Sequence, residues 1–328
     1  MTPADRTWVS IQHMRAMAAL SVVLFHAAQW SRVDFGIGAA GVDVFFVISG
    51  FVMWTVTGDR APAPLDFVKR RVIRVAPLYW LVTLSLVAGA MAFPDRFPEV
   101  DADPLHILLS LAFIQHLNPD GQPFPVLTPG WSLNYEAVFY LVFAACLLLP
   151  TRLRLIGLSL ALATLSLSGF LWPRGYVMLL NPLFLQFLAG AWLGRLAQEG
   201  LLPDRPFGWL MLGLGQALLL LLWLSRIDPD LWRPMIWGLP AVLVVAGVVT
   251  VEADGGWPRW RWLGLLGDAS YSLYLTHTLA IGALAVTMGA WNPWLFIPAA
   301  VAVAVPAGIA CYLLVEKPML MTLRQRLA

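Results

Sequence analysis

The sequence predicts an all-α polytopic membrane protein: about ten transmembrane helices plus one short re-entrant or interfacial helix, with the N- and C-termini both on the cytoplasmic side. Three observations predict it. Of 328 residues, 59% are apolar and 12% charged, whereas soluble domains are about half apolar and a quarter charged. Apolar runs of roughly 20 residues, enough to cross a bilayer core, recur from end to end. Lys and Arg are also divided unequally between the alternating connections. Sixteen, including Arg15, Lys69, Arg70, Arg71, Arg74, Arg152 and Arg154, fall on the side of the termini, against Arg32, Arg96, Arg174, Arg226 and Arg233 on the other. That asymmetry is the positive-inside signature. A mean hydropathy of +0.74 excludes a soluble enzyme, a secreted disulfide scaffold, a disordered chain and a nucleic-acid-binding domain.

The elements follow in order. The first span, 11–30, is too long for the apolar core of a signal peptide and has no small-residue cleavage site after it, so it is expected to stay. Spans 38–57 and 73–92 follow, the latter entered through the basic cluster. The apolar stretch 104–116 is too short to cross and lies in an acidic, proline-rich outer loop, 93–130. Spans 131–149, 153–171, 176–196, 208–225, 232–251, 268–289 and 293–315 complete a single domain over 1–328. Gly190 and Gly194 have the spacing that lets two helices approach closely. Cys146 and Cys311 lie inside apolar runs and read as small packed hydrophobes. Gly36, Gly38 and Gly41 spell GxGxxG, but no strand precedes them, so no nucleotide site is expected. The five histidines lack metal-ligand spacing, and no tightly bound cofactor is expected.

Ionisable groups inside spans cost about 2.5–3.5 kcal/mol each at mid-helix, so they pair, line cavities or do chemistry. Arg15 and His26 are eleven residues apart, which puts them on one helix face about 16 Å apart. They read either as a snorkelling anchor and a packing histidine, or as parts of a site. Asp43 lies one and a half turns into the second span, and Glu136 near the outer end of the fourth. Both share the depth of His26, which is Asp43's nearest candidate partner by depth. A carboxylate beside an imidazole would make it a general base; an ion-pair lock between spans fits the depth as well. Arg71 and Arg74, at i and i+3, share a face if the third helix begins early. They anchor the span or clamp phosphate, which guanidinium forks match. Tyr271, Tyr274 and His277 read as helix packing with one polar contact, and Glu316 with Lys317 as an interface pair at a helix end.

Taken in order, Arg15-x10-His26, GVDVFFVISGF at 41–51 (with Ser49), RRVIRVAP at 70–77, WSLNYEAVFY at 131–140, YSLYLTH at 271–277 and VEKP at 315–318 resemble the acyltransferase-3 membrane family, in its exopolysaccharide acetyltransferase branch. The resemblance extends over nearly the whole chain. It implies a bacterial inner-membrane O-acyltransferase with a cytoplasmic acyl-CoA donor, acetyl-CoA by family expectation. The acceptor would be a hydroxyl of a polysaccharide or lipid-linked sugar. It also implies that His26 is essential for transfer, and that Arg15, Arg71 and Arg74 belong to the donor side. The chain looks like the standalone form, without an added esterase-like domain. His26, supported by Asp43 or Glu136, would take the sugar's proton, or would carry the acyl group itself. Trp131 and Tyr135 would either stack on a sugar ring or form part of an interfacial aromatic belt. Two other classes remain open: a transporter or flippase for a sugar or lipid-linked precursor, using Asp, Glu and His as a proton relay, and a partner-dependent subunit of an export machine.

Overall fold

A computed structural model describes residues 8–57, 62–97, 99–171, 181–227, 233–288 and 292–327. Among the described residues the chain is helical, with no strand. The helices are α1 (Val9–Trp30), α2 (Ala40–Thr57), α3 (Pro64–Ala92), α4 (Pro104–Leu111), α5 (Trp131–Cys146), α6 (Thr151–Leu171) and α7 (Phe184–Glu199). They continue with α8 (Arg205–Leu224), α9 (Leu239–Ala253), α10 (Arg261–Asp268), α11 (Ser270–Met288), α12 (Pro293–Cys311) and α13 (Lys317–Leu327). Among the described residues, six helical stretches are long and apolar enough to cross a membrane: Gly36–Thr57, Pro64–Ala92, Arg205–Leu224, Pro234–Ala253, Ser270–Met288 and Pro293–Gln325. The expected start of the span at 176, and Arg174 beside it, lie outside the described residues.

Close backbone contacts set the bundle. A Cβ on Gly50 would sit 1.9 Å from the Phe187 carbonyl oxygen, and one on Gly190 would sit 2.0 Å from that of Val47. Reciprocal glycines therefore let α2 and α7 touch through their backbones, as the 190/194 spacing predicts. Gly41 in α2, and Gly38 in the 3₁₀ turn that leads into it, do the same against α1, where a Cβ would meet the Ala18 and Ser21 carbonyls at 2.5 and 2.6 Å. The first two amides of α1 are capped across the bundle by Glu252, which accepts from Val9 N at 2.8 Å and Ser10 N at 2.6 Å. A carboxylate at a helix N-terminus is favoured by the helix dipole.

Three elements differ from expectation. Helix α3 starts nine residues before the expected 73, so Arg71 and Arg74 lie within regular helix and share a face. The stretch at 104–116 forms only the eight-residue α4. The chain after it turns inward, burying Val126, Leu127, Pro129 and Gly130. There the Tyr79 hydroxyl donates to Ser110 O (3.2 Å) and that of Tyr274 to Pro129 O (2.9 Å). The last span does not end at 315. It passes through a π-helical turn, Tyr312–Glu316, into α13. A second π turn, Pro234–Gly238, leads into α9 directly after Arg233. Both π turns adjoin a charged side chain that is ion-paired inside the bundle, consistent with the use of such bulges to re-aim a side chain.

Candidate active site

Five helices surround a cavity of about 850 Å³, including its mouth. Arg15 from α1, Ser49 from α2, Arg71 and Arg74 from α3, Glu136 from α5 and Tyr274 from α11 line it. Each guanidinium is held differently. Arg74 pairs with the fully buried Glu316, which also accepts from Ser272 Oγ. Arg15 Nε donates to Ser270 Oγ at 3.2 Å. Arg71 stacks on Phe67 (5.6 Å), and its buried Nε has no partner. Glu136 Oε1 accepts from Ser49 Oγ (2.7 Å) and from Tyr140 Oη. Three guanidiniums against one lining carboxylate, with an unused donor on Arg71, make a cationic pocket suited to an anion.

At the other end of α1, His26 is half-buried. Its Nδ1 lies 3.0 Å from Gln29 Oε1, and its ring lies 5.0 Å from that of His277. His26 itself does not line the cavity. Tyr274, which does, has its ring 5.9 Å from His277 and 5.9 Å from Phe45. The Tyr274 hydroxyl donates to Pro129 O, so Ser132 Oγ, 2.8 Å away, donates to it. Tyr274 is therefore the residue that touches both the arginine cavity and the histidine pair.

A family comparison decides what this arrangement belongs to. The acyltransferase-3 model, described as an acyltransferase domain, matches residues 8–313. The chain belongs to the acyltransferase-3 family. It is an O-acyltransferase. The chain is 38% identical over 311 residues to the exopolysaccharide production protein ExoZ of Rhizobium meliloti (strain 1021), a match covering 93% of this chain and 96% of that protein. It is 28% identical to the putative membrane-bound transacylase BcsY of Komagataeibacter xylinus, over 81% of this chain and 71% of that one. Against the putative peptidoglycan O-acetyltransferase YrhL of Bacillus subtilis (strain 168) the figures are 25%, 93% and 54%. No solved structure matches the chain.

Several candidate contacts in this acyltransferase need correction. Asp43 is fully buried, but it does not support His26. Arg233 holds it through Nη2 (2.9 Å) and Nε (3.2 Å), and Gln186 Nε2 donates at 2.6 Å. The helix face, rather than the depth, decided this: Asp43 points toward α7 and α9 while His26 points toward α11. Glu136 belongs to the arginine cavity and is likewise not beside His26. The group next to His26 Nδ1 is Gln29, one turn along, legible only as an i,i+3 spacing. Tyr135 is buried among Phe46, Trp131 and Phe184. It is almost wholly buried, so it offers no platform for a sugar. The Trp131 ring is covered by Arg233 at 5.5 Å. Glu316 is an internal partner of Arg74, not an interface pair with Lys317. Arg233, counted in the sequence only as an outer-side charge, carried no motif that marked it.

Proposed function

We propose that this protein transfers an acyl group, acetyl by family expectation, from cytoplasmic acyl-CoA to a hydroxyl of an exopolysaccharide or its lipid-linked precursor. It would do so in the bacterial inner membrane, with ten spans, both termini in the cytoplasm, and no tightly bound cofactor. The observation that carries the reading is the cationic cavity of Arg15, Arg71 and Arg74, one of whose lining residues, Tyr274, neighbours His277, itself the ring neighbour of His26. The similarity to an exopolysaccharide production protein supports the acceptor class.

In this reading the phosphates of the donor sit at the guanidiniums, with Arg71 Nε available to them. The pantetheine arm, a flexible chain long enough to follow the roughly 16 Å from Arg15 to His26, passes Phe45 and Tyr274. His26 has its Nδ1–H held by Gln29 Oε1, so its Nε2 lone pair is free to take the acceptor's hydroxyl proton. General-base help of this kind is worth about 10²–10⁴-fold. Ser49 holds Glu136, and Glu316 holds Arg74, so these side chains shape the donor pocket.

The test is transfer of labelled acetyl from acetyl-CoA to glycan in membranes containing the wild type or His26→Ala. Transfer by the wild type, with background label in the variant at equal membrane abundance, is the expected result. Near-normal transfer by His26→Ala removes that residue from the reaction. Proton-coupled movement of the glycan with no label incorporated replaces the reading with transport.

A further inference from the structure

A second cavity adjoins the first. Helices α3 and α5 stand apart over a groove of about 610 Å³, including its mouth. Its lining recurs at i, i+3, i+4, i+7 and i+8 on both helices, over 68–76 on α3 and 133–141 on α5. That makes a strip about 12 Å long. Each helix contributes one alanine to it, Ala76 and Ala137, where a larger side chain would fill the gap. Arg71, Val75, Leu133, Glu136 and Tyr140 line this groove and the arginine cavity alike, so the two spaces share a wall. The groove's outer rim is apolar: Val72 is 47% exposed and Leu141 60%. Helix α3 is of membrane-spanning length and hydropathy, so that rim meets hydrocarbon.

The charges of the shared wall are unevenly matched. Arg74 is paired with the buried Glu316. Glu136 is then the one lining carboxylate near both Arg15 and Arg71. It is already engaged by Ser49 and Tyr140. Asp268, also near Arg15, is exposed, and Arg70 and Arg74 add like charge beside Arg71. A guanidinium in an apolar bundle without its full counter-charge favours a bound anion. The groove narrows the choice of anion. An apolar trough that begins at Arg71 and opens to hydrocarbon suits a phosphate carrying an alkyl chain. Lys69 and Arg70, exposed at the same end of α3, mark that level as the one where anionic headgroups gather.

We propose that an anionic phospholipid occupies this groove when the donor is absent, with its phosphate on Arg71 and one chain along α3 and α5, and that acyl-CoA displaces the phosphate on binding. One negative phosphodiester answers one under-matched guanidinium. The competition rests on acyl-CoA being the donor; the lipid site does not.

The experiment uses the purified full chain in bilayer nanodiscs of phosphatidylcholine, with or without phosphatidylglycerol. Native mass spectrometry is expected to find one phosphatidylglycerol retained by wild type and released by coenzyme A. Ala137→Phe and Val72→Trp, which fill the groove from α5 and from α3, should retain none. In the acetyl-transfer assay phosphatidylglycerol should raise the wild-type KM for acetyl-CoA about tenfold, as a competitor present at roughly ten times its dissociation constant does, with kcat unchanged. Repulsion of the donor by a negative surface would raise KM equally in all three proteins, so a rise that persists in both monodisperse variants overturns the proposal. Wild type that retains no phosphatidylglycerol, or does not release it to coenzyme A, overturns it without reference to any variant. Retention of added undecaprenyl phosphate in preference to phosphatidylglycerol overturns it as well, by making the groove a carrier-lipid site. If wild type in phosphatidylcholine transfers nothing from acetyl-CoA, the donor reading fails and the competition with it, and the mass spectrum alone decides the lipid site.

Discussion

Gly50→Ala tests the packing that holds the Asp43 charge cluster. The added Cβ would lie 1.9 Å from the Phe187 carbonyl oxygen, and that carbonyl belongs to helix backbone that cannot swing aside. Clearing it to a tolerable contact moves α7 from α2 by at least about 1 Å. Gln186 precedes Phe187, and its 2.6 Å bond to Asp43 stretches by a similar amount, past the roughly 3.5 Å at which a hydrogen bond is lost. Overpacking costs about 1–3 kcal/mol, and loss of a hydrogen bond to a charged group about 1.5–3. The expected destabilisation is therefore roughly 3–5 kcal/mol, measured by thermal or denaturant unfolding of purified protein in detergent. Gly213→Ala is the control: nothing lies within 4 Å of its added Cβ, and removing a helical glycine should be neutral or stabilising by up to about 1 kcal/mol. A Gly50→Ala protein as stable as wild type would refute the close-contact argument.

Arg71→Ala should raise the KM for acyl-CoA at least about tenfold, the worth of one charge-assisted contact, leaving acceptor KM unchanged; an altered topology with unchanged donor KM assigns Arg71 to anchoring. Arg233→Leu strands the buried Asp43 carboxylate and should cost roughly 3–5 kcal/mol, much of it recovered in the Asp43→Asn/Arg233→Leu double variant; equal stability of the single variant and wild type would contradict the lock. His106, in α4 outside the spans, bonds through Nδ1 to His116 Nε2 at 2.7 Å, and burial, then His116, pushes its pKa below the usual imidazole value. A lowered folded-state pKa means the unfolded loop binds protons more readily. The 104–130 loop should therefore be firm above about pH 6.5 and loosen as pH falls below it, read by limited proteolysis from pH 7.5 to 5. Unchanged cleavage across that range would leave no role for the pair in holding the loop.

The sequence by itself determined that this chain is helical and apolar, roughly where its helices lie apart from the start of α3 and the end of the last span, and that Gly190 and Gly194 sit at a close helix contact. Hydropathy and spacing are local properties, and a helix satisfies its backbone within its own segment. The set of unusual charges was also legible, because polar groups among apolar residues stand out one by one. Their pairing was decided only by the tertiary structure. Counting residues assigns Asp43 and His26 one depth, but the directions their helices give them send one to Arg233, 190 positions away, and the other to His277. Glu316 reaches Arg74 through a π turn that no local preference announces. Depth can be read from counting residues along a helix; direction depends on every neighbour packed around it.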